Sequence, residues 1–92
     1  MTASGPAPAT DAELDALREN ADLVPLFDAL FDRGSRALDR GDWPAALRDL
    51  EEAAVVATLM GASGPAARAR STAALALRAD GRLLAADRLM LG

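Results

Sequence analysis

Ninety-two residues with a net charge of −4 make one domain with one modest core, burying roughly 63% of the surface an extended chain would expose. Cys, His, Tyr and Lys are all absent, which excludes thiolate and imidazole catalysis, Schiff bases, disulfides and every Cys/His metal set. With 23 Ala and 15 Leu against three Val, two Phe and no Ile, the composition specifies an all-α fold.

Residues 1–9, with Gly5, Pro6 and Pro8, read as a flexible arm lacking the basic and apolar regions of a secretory signal; residues 10–92 form a single domain. Thr10 and Glu13 form a capping box that opens a short helix over 11–19, with Leu14 and Leu17 as its apolar edge. Asp22 caps the next helix, and Pro25 sits in its first turn. Leu23, Leu26, Phe27, Leu30, Gly34, Ala37 and Leu38 recur there at three- and four-residue intervals, up to a stop at Gly41. Asp42 caps a third helix with Trp43, Ala46, Leu47, Leu50, Ala53, Ala54 and Ala57 on its apolar face, extended by Val56, Leu59 and Met60. Gly61, Gly64 and Pro65 break the chain, and Ser63 or Gly64 caps a fourth helix over 65–79. Leu75 and Leu77 are its large apolar residues, so Ala66, Ala69, Ala73, Ala74 and Ala76 must permit close backbone approach. Asp80-Gly81 ends it, and a short fifth helix over 82–90 presents Leu83, Ala86, Leu89 and Met90.

Charge is divided along the chain. Residues 1–60 carry five Arg and twelve carboxylates, net −7, and residues 61–92 carry five Arg and two carboxylates, net +3. The two parts attract, within a chain or between copies. An acidic chain without a basic patch argues against a nucleic-acid partner. The longest uncharged stretch, Ala53 to Ala67, is interrupted by Gly61, Gly64 and Pro65, so no segment is expected to span a membrane. The cytoplasm is the expected location, and basic residues that are all Arg suit a GC-rich bacterium.

Two stretches share a pattern: Gly34, Ala37, Leu38, Gly41-Asp42-Trp43, Ala46, Leu47, Leu50 and Ala53, then Ala74, Ala76, Leu77, Gly81, Leu83, Ala86, Leu89 and Met90. Helical hairpins repeating at this interval build solenoids. The pattern resembles the tetratricopeptide repeat. Leu30 stands at that family's large aromatic position, Gly34 at its small residue, and Gly41-Asp42-Trp43 at its turn and aromatic. Arg33 departs from the usual Leu, and no Pro follows Ala53 at the usual spacing. With four main helices and a short C-terminal one expected from the caps and breakers, the resemblance implies their arrangement as antiparallel hairpins, with a peptide-binding groove lined by the first helix of each hairpin.

Carried onto this chain, the groove positions are Asp28, Phe31, Asp32, Ser35, Leu38 and Asp39 from the first hairpin, and Arg68, Ser71, Thr72, Leu75 and Arg78 from the second. Asp28, Asp32 and Asp39 equally suit a solvated helix face. Phe31 lies beside the core stripe and is either exposed, wrapped by residues 11–19, or buried at an interface. Trp43 reads as a core residue closing the first hairpin, and Gly34 is expected against Ala46.

Paired carboxylates such as Glu51 and Glu52 diverge around their helix and lack an enclosing apolar site, so no catalytic role follows. No cofactor or metal is implied. The expectation is a non-catalytic adaptor binding a protein or peptide. The alternative is a structural or regulatory subunit of a homo-oligomer, or an accessory protein docked on an enzyme or transcription regulator, associating through residues 83–91.

Overall fold

The computed structural model describes residues 8–79. They form an all-α fold of four helices: α1 (Asp11–Glu19), α2 (Leu23–Asp39), α3 (Trp43–Leu59) and α4 (Ser63–Ala79). The capping box opens α1, with the Thr10 N–H donating to Glu13 Oε1 at 2.8 Å and the Glu13 N–H donating to Thr10 Oγ1 at 3.2 Å. Asp42 caps α3 by accepting from the Ala45 N–H at 3.4 Å, whereas Asp22 holds the N-cap position of α2 without a side-chain cap. α4 starts two residues earlier than expected, so Ser63 and Gly64 lie inside its first turn with Pro65. The fifth helix expected over 82–90 lies outside the described residues, as do the first seven residues of the arm. Ala9 is half-buried against the core, so the arm's end is anchored.

Three connections of identical design join the helices at 20-residue intervals. In each, the third residue's N–H returns to a carbonyl five residues back: Asp22 to Leu17, Asp42 to Ala37 and Ala62 to Ala57. The second residue's N–H bonds three residues back, Ala21 to Arg18, Gly41 to Leu38 and Gly61 to Thr58, all at 2.9–3.1 Å. This double closure satisfies the last carbonyls of a helix and requires a left-handed residue. Gly41 (φ 80°) and Gly61 (φ 73°) adopt it readily; Ala21 (φ 54°) does so against the steric cost of its Cβ. Connections this short make successive helices antiparallel neighbours.

Leu14, Leu26, Leu30, Ala53, Ala54, Val56 and Ala69 form one buried cluster across all four helices, and Ala37, Ala46, Leu50, Ala73 and Ala76 form a second. All five alanines expected to allow close approach of α4 are buried. Gly34 faces Leu50 and Asp49 rather than Ala46: a Cβ there would stand 2.8 Å from Leu50 Cγ and 3.3 Å from Asp49 Cβ. Antiparallel packing about the Gly41 turn pairs position 34 with position 50, leaving Ala46 opposite the Ala37 end. Trp43 is half-buried, its ring lying over the Gly41 turn instead of inside the core. Leu59, expected on the core face of α3, is 69% exposed, because the inward turn at that end is taken by Val56, Ala57 and half-buried Met60.

Charged side chains tie the layers together. Arg33 forks onto Asp49 with Nε at 2.8 Å and Nη2 at 2.9 Å, and its Nη1 reaches Asp11 at 2.7 Å and the Ala9 carbonyl at 3.4 Å. The Asp49 side chain is 2% exposed and that of Arg33 16%. Arg18 makes a second fork onto Glu52, at 2.6 and 2.7 Å, and a bond to Asp15 at 2.7 Å. Hydrogen bonds to Asp49 and Glu52 raise the pKa values of Arg33 and Arg18 further, so both guanidiniums are permanently charged. α1 is thereby fixed to α2 by packing and to α3 by a side-chain bridge. No described side chain buries a polar atom without a hydrogen-bond partner.

Candidate functional site

Beyond its packing on α3, α2 also touches α4, and between these two helices the surface dips into a groove of about 320 Å³. Its walls are Phe27, Asp28, Phe31, Asp32 and Ser35 from α2 and Arg68 from α4. The spacing on α2 explains the set: positions 27, 28, 31, 32 and 35 are one strip at three- and four-residue steps, beside the buried stripe of Leu26, Leu30, Gly34 and Ala37.

Phe31 forms the floor. It is half-buried, packs against both core clusters, and sits 5.6 Å from the Phe27 ring at an interplanar angle of 35°. The Arg68 guanidinium lies over the Phe31 face, 5.3 Å from the ring centroid, in cation–π geometry. No α1 residue lines the groove; Leu14 is buried against Leu26 and Leu30 instead, so α1 does not wrap this patch. Along the rim, Asp32 pairs with Arg36 one turn on, at 3.0 Å, while exposed Asp28 has no ion-pair partner among the described residues.

Of the sequence-derived site residues, Asp28, Phe31, Asp32, Ser35 and Arg68 come together. Leu38, Asp39 and Arg78 do not line this groove. Leu38 is half-buried against Ala37, Ala46 and Leu50, because the stripe winds toward α3 at that end of α2. Asp39 is exposed in the last turn of α2. Arg78 belongs to a separate depression with Ser71, Ala74 and Leu75 on α4. Phe27, assigned to the core by its period, is a groove wall that sequence reasoning missed; its adjacency to Asp28 and its four-residue step to Phe31 were the available signal.

A second groove, of about 390 Å³, lies between α3 and α4, lined by Glu51, Ala54, Val55, Thr58, Leu59, Arg70 and Ala73. Val55 is 58% exposed there, and Arg70 donates to Thr58 Oγ1 at 3.2 Å across it. Among the described residues no three acidic side chains converge to hold a metal ion, and no helix is long and apolar enough to cross a membrane. No protein-family model, curated protein or solved structure matches the chain.

Proposed function

We propose that this protein is a small non-catalytic binding module, an adaptor that receives a peptide or protein segment in the groove between α2 and α4. The observation that carries this reading is the half-buried Phe31 floor between an acidic rim and a basic wall. It combines an aromatic anchor with polar groups that fix orientation, as recognition surfaces do. The three like turns arrange the helices as successive antiparallel hairpins, and α2 and α4, alternate helices, line the groove together. The chain's lack of His, Cys and Lys is in keeping with a role in binding.

The test is a peptide library selected on the folded protein, with each binder then measured against two charge-altering surface variants. Asp28→Arg changes the groove rim without touching the core, and Val55→Asp changes the α3–α4 surface. Binders are expected to lose at least tenfold in affinity with Asp28→Arg and little with Val55→Asp. The reverse pattern would move the binding face to α3 and α4.

The exposure of Val55 and Leu59 beside the second groove favours a second reading, in which the chain acts as a structural or regulatory subunit of a homo-oligomer. Solution mass over a range of protein concentrations separates the two. A monomer throughout supports the adaptor, and a dimer that Val55→Asp dissociates supports the subunit.

A further inference from the structure

We infer that the segment received by the groove carries a cationic side chain beside an apolar one, and that Arg68 is an internal stand-in for that cation. This rests on the binding role proposed above and specifies what it recognises. The Phe31 ring is the only aromatic face among the described residues with a guanidinium over it, 5.3 Å from the centroid. The cation comes from α4, an exposed residue reaching across from the opposite wall. Arg68 forms no ion pair among the described residues, so the ring holds it without a carboxylate.

The carboxylates lie on the other wall. Asp28 and Asp32 stand one helical turn apart on the Phe31 side of the groove, and Arg36 engages Asp32 from outside it. A ligand guanidinium over Phe31 would therefore gain what Arg68 lacks, a second contact to Asp28, while Phe27 packs against the neighbouring apolar side chain. Arg68 can leave for solvent, since it is exposed and no ion pair among the described residues holds it. A ligand carboxylate would meet the repulsion of Asp28 and Asp32 before it reached Arg68. The charge order along the groove thus favours a cation.

The competition between Arg68 and the ligand makes an unusual prediction: removing a groove residue should strengthen binding. The probe is an acetylated nine-residue peptide with one central Arg flanked by Leu and Ala. Its control has citrulline at the centre, which keeps the shape and removes the charge. Affinities are measured by NMR titration of the full chain. The Arg peptide is expected to bind more tightly than the citrulline peptide, and Arg68→Ala to tighten the Arg peptide by about two- to fivefold, the worth of an exposed cation–π contact. Phe31→Leu removes the ring while leaving a branched apolar side chain against the core, and should weaken the Arg peptide by a similar factor in a variant whose helix content matches that of the parent. Asp28→Asn should also weaken it, and more so at low salt. Weaker binding by Arg68→Ala, or equal binding of the two peptides, would overturn the inference. Should library-selected binders still depend on Asp28 in that case, the groove stands as a binding site for another class of segment.

Discussion

Arg33 occupies a position where the resembling repeats carry Leu, and its surroundings explain how a charge is accommodated there. Asp49, almost fully buried one helix away, accepts two of its N–H groups, and Asp11 accepts a third. A buried pair of this kind is costly to break and cheap to replace, because a single deletion strands the remaining charge in a poorly solvated place. Asp49→Leu should therefore lower unfolding free energy by about 3 kcal/mol. The double variant Arg33→Leu with Asp49→Leu should recover most of that loss, since the two leucines repack where the ions met. Urea unfolding of the two single variants and the double one measures the coupling. Additive losses would mean that Arg33 and Asp49 act independently.

At the scale of elements, the three turns are one solution written with different residues. Ala21 holds the left-handed place that Gly41 and Gly61 hold elsewhere, and its Cβ costs roughly 1 kcal/mol in that conformation. Ala21→Gly removes this strain and adds some unfolded-state entropy. A rise in unfolding free energy of about 0.5 kcal/mol is expected, visible as a higher Tm; a fall would show that the entropy term dominates. α1, the shortest of the four described helices, depends on one buried leucine and on acid-sensitive contacts. The hydrogen bond and charge of Arg33 hold Asp11 below its ordinary 3.8, and the Thr10 backbone N–H, with the Thr10 side chain, holds Glu13 below its ordinary 4.5. Both folded pKa values are depressed, so their stabilising contribution is complete above the ordinary values and disappears as pH falls through the folded ones. Amide exchange should show α1 losing protection below about pH 4 before α2–α4 do. Equal protection of all four helices down to the acid transition would contradict this.

Over the whole molecule, helix α2 is the common support. It carries Leu14's partners on one side, Leu50's contact at Gly34 on another, and the Phe27–Phe31 strip on a third. The sequence by itself determined the all-α class, the four helices to within two residues, and the capping box. It also determined the buried alanines of α4, because each of these follows from local propensity or a three- to four-residue period, while the strip of Asp28, Phe31, Asp32 and Ser35 was marked by the repeat resemblance. Only the tertiary structure decided the rest. Gly34 meets Leu50 and not Ala46, since the register of two antiparallel helices depends on how their side chains interlock. Trp43 lies over a turn, Leu59 faces out and Leu38 faces in, since the buried stripe of a helix is set by its neighbours. Ala21 gave no turn signal, because nothing local marks an alanine for a left-handed conformation. Arg33 with Asp49, and Arg68 over Phe31, are pairs 16 and 37 residues apart whose meeting depends on the packing of whole helices.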